Sequence, residues 1–372
     1  METNKTTEKS ISSVFKPYLK PKQVYKGGKN APAHIEEVVK LSSNENPLGA
    51  SPKAVAAFQK AAEGVQVYPD QTDVRLREAL VKSYDGQLPQ EQFLCGNSGS
   101  ELIDLILRGF IREGDEVIFS NPCFLPYAVF SRWYGAKLVD VPLKDPDYAL
   151  DVQGILAAVT PKTRIVFLTS PNNPTGTYIP KDQIDSLLDA LPGDILVVLD
   201  EVYWHFAEAE DYVTAMPYVK ANRPVISINS FSKTFGLAGL RLGYAYTTAE
   251  IALYLRQICK PFLVPGPSIA AGIAALEDTE FIAKTVQTVQ AGRQQLELAF
   301  VELGIRFWPS QGNFFLIDPP LGEQELTDYL LDKGIMVRPV SAFGAPGKVR
   351  ISVGTEAQNT RLIAALQEII LG

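Results

Sequence analysis

Three apolar runs, Ile165-Val166-Phe167-Leu168, Ile195-Leu196-Val197-Val198-Leu199 and Val225-Ile226-Ser227-Ile228, constrain this chain more than any other feature. Near-unbroken runs of this length, rich in Val and Ile, are what strands buried on both faces of a parallel sheet look like. Each run ends in a polar cluster: Ser170-Pro171-Asn172-Asn173-Pro174-Thr175-Gly176, Asp200-Glu201-Val202-Tyr203, and the stretch from Ser230 to Arg241. In open α/β sheets ligands bind beyond the carboxyl ends of the strands, so three polar clusters at three such ends point to one site. Between about 68 and 265 short apolar strands alternate with helical patterns, which predicts an α/β fold with a mainly parallel sheet sandwiched by helices.

At 372 residues the chain exceeds a single simple core, so a large domain with a smaller companion is expected. The proline-rich segment Ile258-Cys259-Lys260-Pro261-Phe262-Leu263-Val264-Pro265-Gly266-Pro267 reads as the crossing point. Beyond it come a helical pattern from about 268 to 303, the run Phe314-Phe315-Leu316-Ile317, a helix from about 323 to 333 and strands near 335–339 and 348–353. The resulting division is an N-terminal arm at 1–40, a large domain at 68–265, and a smaller α+β domain from 41–67 and 266–372. Ser51 and Pro52 predict a capped helix start before Ala54-Val55-Ala56-Ala57-Phe58.

The formal charge of −7, with no basic run, excludes a general nucleic-acid binder. Three cysteines without metal-ligand spacing and only two histidines leave little material for a metal centre or a hydrolytic triad. No apolar stretch approaches a membrane span and the start METNKTTEKS is polar, so no membrane association and a cytoplasmic location are expected.

Lys233 stands just behind the third run, in Ser230-Phe231-Ser232-Lys233-Thr234-Phe235-Gly236-Leu237-Ala238-Gly239-Leu240-Arg241. An amine flanked by hydroxyls and glycines, with Arg241 following, suits a Schiff-base lysine beside a bound phosphate. The cofactor so described is pyridoxal 5′-phosphate (PLP). It also needs an anion at its ring nitrogen, and Asp200, ending its own strand, is placed for that; such a contact favours the charged ring by about 1 to 3 pKa units. For the phosphate, Ser98, Gly99 and Ser100 open a helical run with free backbone N–H groups. Arg241 should hold it more strongly, because charged hydrogen bonds contribute about 1.5–3 kcal/mol against about 0.3–1 kcal/mol for a helix dipole, and Ser230 and Ser232 assist it. Taken singly, Lys233 also reads as the start of an ordinary helix, Asp200 as an N-cap, Tyr203 as core packing and Asn173 as a turn former.

Together, SPNNPTG, DEVY and SFSKTFGLAGLR resemble the aspartate-aminotransferase-like, fold type I PLP enzymes. LSSNENPLG at 41–49, YPD at 68–70, GNSGSELI at 96–103 and VRISVGTEAQN at 349–359 resemble the histidinol-phosphate aminotransferases within that group. The resemblance implies that Tyr203 and Asn173 donate to the ring's phenolate oxygen and that Phe124 stacks on the ring, where many relatives carry Tyr. It implies that Tyr68 reaches the phosphate of a neighbouring subunit, hence a homodimer with shared sites. Arg350 matches the arginine that binds the substrate's anionic group, Arg338 a second one, and Tyr25 an N-terminal tyrosine that helps close the phosphate pocket. Asn46 and Asn313, with Asn44, are expected to line the cleft, although Asn46 before Pro47 also reads as a turn former. One departure stands out: where relatives read DEAYxEF, this chain has His205 in place of the acid.

The implied reaction is amino transfer from a small-molecule donor to 2-oxoglutarate, with histidinol phosphate as the donor and histidine biosynthesis as the setting. Arg338 and Arg350 can instead form structural salt bridges, and a guanidinium fork binds carboxylate as well as phosphate. An aromatic amino-acid aminotransferase shares every motif, and a threonine-phosphate-decarboxylase-like lyase shares the phosphate pocket. A PLP-binding regulator without turnover is disfavoured by the lack of a DNA-binding segment.

Overall fold

The computed structural model describes residues 11–19, 37–70 and 73–371. In chain order the strands are β1 Val39–Lys40, β2 Phe93–Gly96, β3 Glu116–Phe119, β4 Lys137–Asp140, β5 Thr163–Thr169, β6 Leu196–Asp200 and β7 Val225–Ser230. They continue with β8 Gly243–Thr247, β9 Phe307–Trp308, β10 Phe314–Ile317, β11 Ile335–Met336, β12 Arg338–Pro339 and β13 Val349–Ser352. One sheet has the order β2-β8-β7-β6-β5-β3-β4. Its strands β4, β3, β5, β6 and β7 are parallel, and β8 runs antiparallel to both β7 and β2.

The three apolar runs are the neighbouring strands β5, β6 and β7. Val166, Leu168, Val197 and Leu199 enter the apolar cluster on one face, while Ile165, Phe167, Leu196 and Val198 enter the cluster on the other. Side chains alternate between faces along a strand, and both faces are covered, so nearly every position is apolar; Ser227, buried in the middle of β7, is satisfied by donating to Glu201 Oε2 at 2.7 Å. Each buried aliphatic side chain contributes about 1.5–3 kcal/mol, so polar residues without a buried partner are tolerated where a strand leaves the sandwich. That is where Thr169, Asp200 and Ser230 stand, and Thr169 lies beside Asp200 in the β5–β6 register.

Helix α1 (Pro52–Ala62) begins as the sequence predicts, with Ser51 Oγ accepting from Ala54 N–H. Helices α2 (Val74–Ser83), α3 (Ser98–Phe110) and α4 (Pro126–Trp133) follow. A second sheet, β12-β13-β10-β9, is antiparallel, and β1 pairs in parallel with β11. Its core gathers Leu41, Phe300, Phe315, Ile335, Ile351 and Leu362.

The domain expectation needs correction in its packing. The sequence places α1 and the helix Gly266–Leu276 with the smaller domain, yet Ala54, Ile269, Ala271 and Ala275 join the cluster beneath the large sheet. The cause is close approach: a Cβ on Gly272 would sit 2.5 Å from Leu242 Cδ2, so this Ala- and Gly-rich helix lies flush on the large core. The segment from Leu41 to Ala50 crosses between the sheets. It is pinned by Asn44 N–H to Ser352 Oγ (2.8 Å) and Ser51 N–H to the Phe235 carbonyl (3.3 Å). A Cβ on Gly236, whose φ is +69°, would overlap Gly49 O at 1.9 Å, so only glycine lets the lysine loop pass beneath this segment. Among the described residues no helix is long and apolar enough to cross a membrane.

Candidate active site

The strand ends of the large sheet, the start of α3, the crossing segment and β12–β13 enclose a cleft of about 490 Å³. That size suits a cofactor plus a small substrate. Lys233 opens into it, with Nζ donating to the Ser43 carbonyl at 3.0 Å and lying 5.7 Å from the Tyr203 ring centroid. Burial, and after it the Arg350 and Arg241 charges, lowers the Lys233 pKa to about 7 against the opposing pull of Glu45 and Asp200. The amine is therefore poised between its charged and neutral forms near neutrality.

Asp200 is buried and held from two sides: Oδ1 accepts from Val202 N–H (3.2 Å) and Oδ2 from the Tyr127 hydroxyl (2.6 Å). Burial raises its pKa to about 6, opposed by the Tyr127 and Val202 hydrogen bonds and by Lys233. A cationic ring nitrogen at this carboxylate would restore its full charge. Tyr203 Oη accepts from Asn44 Nδ2 at 3.0 Å, and burial keeps its phenol protonated.

Opposite, Ser98, Gly99 and Ser100 present the first turn of α3, and Arg241, Ser230 and Ser232 line the same wall. Ser98 and Arg241 both take left-handed backbone angles, φ 83° and 50°, a strain that clusters where structure is fixed for binding. Asn97 does not cap α3 with its side chain; its amide donates instead to the Leu263 carbonyl at 2.9 Å.

The far wall carries the arginines. Arg338 and Arg350 are directly paired across β12 and β13. Like charges in that position repel unless an anion lies between them. Arg350 is buried, donating to Asn173 Oδ1 (2.5 Å) and to the Ser42 carbonyl (2.7 Å). Arg338 lies over the Phe343 ring, 5.5 Å from its centroid, and among the described residues no acid is within ion-pair range of it.

Residues 36–366 match the family described as Aminotransferase class I and II. The chain belongs to this aminotransferase family. It is similar to the histidinol-phosphate aminotransferase of Akkermansia muciniphila, 39% identical over 334 residues and covering 90% of each protein. The histidinol-phosphate aminotransferase of Moorella thermoacetica is 36% identical, over 96% of this chain and 91% of its own. Among solved structures, histidinol-phosphate aminotransferase from Sinorhizobium meliloti, in complex with pyridoxal-5′-phosphate, superposes with a TM-score of 0.85. That likeness has 27% identity and spans 96% of this chain and 98% of the other.

The aminotransferase thus has the α/β, fold type I architecture and the PLP chemistry of its family. Its residues fit the cofactor: an amine, a buried carboxylate, a helix start beside an arginine, and the aromatic Phe124 converge on one cleft. Of the predicted site residues, Lys233, Asp200, Tyr203, Asn173, Phe124, Ser98, Gly99, Ser100, Ser230, Ser232, Arg241, Arg338 and Arg350 all line it.

Two expectations are corrected. Asn46 does not line the cleft of the aminotransferase: its amide donates to the Thr234 carbonyl (2.9 Å) and Thr285 Oγ1 (3.1 Å), and its Oδ1 accepts from Leu48 N–H (2.9 Å). Asn313 is fully buried behind the wall, donating to the Asn44 carbonyl at 3.2 Å. Both asparagines hold the crossing segment through their amide N–H groups, Asn46 on the Thr234 carbonyl and the Thr285 hydroxyl and Asn313 on the Asn44 carbonyl. Tyr68 lies outside this cleft, 80% exposed, its ring tilted against that of Phe262 at 4.9 Å. Tyr25 lies outside the described residues. His205 stacks on Trp204 at 3.8 Å, and burial lowers its pKa to about 3, so it is a neutral packing residue.

Sequence reasoning missed Tyr127, Thr169, Glu45 and Phe343. Tyr127 follows Pro126 at the start of α4 with no motif around it, and only its contact with Asp200 reveals it. Glu45 was legible as the acid within LSSNENPLG; it lines the cleft and pairs with Lys40 at 2.7 Å.

Proposed function

We propose that the protein transfers the amino group of histidinol phosphate to 2-oxoglutarate. The supporting observation is the cross-strand pair Arg338–Arg350 facing Lys233 across one cleft, with Arg338 lacking any acid partner among the described residues. The names of the relatives agree with this donor. Two guanidinium groups, one buried and one half-buried, suit a dianionic phosphate ester, and the same site accepts the carboxylates of the returning partner.

When bound, PLP supplies the electron sink that makes the substrate carbon acidic. Lys233 would be its anchoring amine and the base that carries the proton from the substrate carbon; burial lowers its pKa to about 7, into the range a general base needs near neutrality. Asp200 would pair with the ring nitrogen. Ser98, Gly99, Ser100, Ser230, Ser232 and Arg241 would hold the phosphate, Phe124 would clamp the ring, and Tyr203 with Asn173 would donate to the ring oxygen. Arg350 and Arg338 would hold the anionic end of the substrate.

The working unit we propose is a cytoplasmic homodimer. Val65, Val67 and Tyr68, 67%, 69% and 80% exposed, border a groove that shares Gly239 with the cleft. A second copy covering this groove would bury the apolar surface and bring Tyr68 to the partner's phosphate site. As the domain division we propose a large unit that includes residues 52–62 and 266–276.

The deciding experiment mixes the purified PLP form with L-histidinol phosphate and, separately, L-phenylalanine, following cofactor absorbance through single half-reactions. Faster conversion by histidinol phosphate supports the reading, and preference for phenylalanine moves the enzyme to aromatic amino acids. Release of carbon dioxide without 2-oxoglutarate makes it a lyase.

A further inference from the structure

Beyond the residues that meet cofactor and substrate, we propose that Tyr127, backed by Thr169, is a positioning residue that aims the Asp200 carboxylate at the cofactor's ring nitrogen. Tyr127 is 1% exposed at the start of α4, its ring stacked on Phe167 (4.6 Å, 14°) and edge-on to Phe124 at 5.7 Å. Its hydroxyl sits 2.6 Å from Asp200 Oδ2 and 2.9 Å from Thr169 Oγ1.

The direction of this chain follows from what each group can do. An ionised carboxylate only accepts, so Tyr127 donates its single proton to Asp200. The Tyr127–Thr169 contact must then be filled by the Thr169 hydroxyl donating to Tyr127 Oη. Thr169 and Asp200 are cross-strand neighbours, so the sheet itself sets the span. With Val202 N–H on Oδ1, the carboxylate plane is fixed from both sides, and its remaining acceptor positions are the ones left for the ring nitrogen.

The titratable groups that face Asp200 and Tyr127 are Lys233 from the loop after β7, Tyr203 and Tyr212 from beyond β6, and the Cys123 thiol beside Tyr127. Burial holds both the Tyr127 phenol and the Cys123 thiol in their protonated forms. The Tyr127 hydroxyl therefore remains a donor throughout the working pH range.

The test is Tyr127→Phe, which keeps the ring and its stacking, with Thr169→Val as the second variant. PLP affinity of the apo-protein, the pH midpoint of the bound cofactor's absorbance change, kcat and KM for the donor, and Tm are measured for each. Loss of a hydrogen bond to a charged group predicts PLP affinity and kcat lower by about 10-fold or more in Tyr127→Phe, and KM within about 3-fold. The midpoint should rise, because a ring proton held less firmly withdraws less charge from the linkage to Lys233. Thr169→Val should move the same readouts in the same direction by less. A lower Tm with unchanged affinity and midpoint would make Tyr127 a packing residue and overturn the proposal. It rests on the assignment of Asp200: if Asp200→Ala also leaves affinity and midpoint unchanged, that assignment fails, whereas if only Tyr127→Phe is silent, this inference alone fails.

Discussion

The two walls of the cleft are built differently. The cofactor wall stands on consecutive parallel strands, β5, β6 and β7, and each chemical group lies within a few residues of a strand end. The substrate wall stands on the short strands β12 and β13 and on the crossing segment, where Arg350 donates to Ser42, 308 residues away, and to Asn173, 177 residues away. Local chain geometry fixes the first wall and long-range closure fixes the second. Substitutions on the cofactor wall should therefore strike the chemical step, and those on the substrate wall should strike recognition.

The strongest way to break this contrast is Lys233→Ala. It should lower the single-turnover rate by about 10⁴-fold, the upper range for a lost general base, and a smaller loss would remove the lysine from the proton transfer. Asp200→Ala should lower kcat about 10²- to 10³-fold, comparable to loss of a major electrostatic contact, while donor KM changes little. Arg350→Met belongs to the other wall and should reduce kcat/KM about 10²-fold, as expected when one buried charged partner is removed; a loss carried by kcat alone would erase the distinction between the walls. Arg338→Met, on the half-buried rim, should reduce kcat/KM about 10-fold, more for a phosphate-bearing donor than for glutamate.

The smallest effect is a shift in pH. A buried lysine with a depressed pKa becomes neutral, and so reactive, as pH rises through the depressed value. Lys233 in the apo-protein should react with an amine-specific acylating reagent with a midpoint near pH 7, read by peptide mass spectrometry. Arg350→Met removes one of the charges that lower this pKa and should move the midpoint upward. An unchanged midpoint would mean that the two walls do not communicate electrostatically.

The unequal legibility of the molecule follows the same division. Val166, Val198 and Ile226 announce strands because a residue buried on both faces has almost no freedom of type, and Asp200 and Lys233 are conspicuous because they end such runs. Asn46 and Asn313 are misread because a buried amide beside a site and one within it look alike in sequence; only their partners, Thr234, Thr285 and Asn44, separate them. The helix Gly266–Leu276 falls on the wrong side of the expected boundary because prolines mark where a chain turns, not which core receives the next helix.

By itself the sequence determined the parallel sheet and singled out Lys233 and Asp200 behind its strands, because burial on two faces and charge beyond a strand end restrict residue choice position by position. Tertiary structure alone decided that Tyr127 reaches Asp200, that Arg338 and Arg350 stand side by side, and that Ser42 and Asn173 hold the second of them. Those relations join segments up to 308 residues apart, and no local pattern encodes a distance that exists only after the sheets close around the crossing segment.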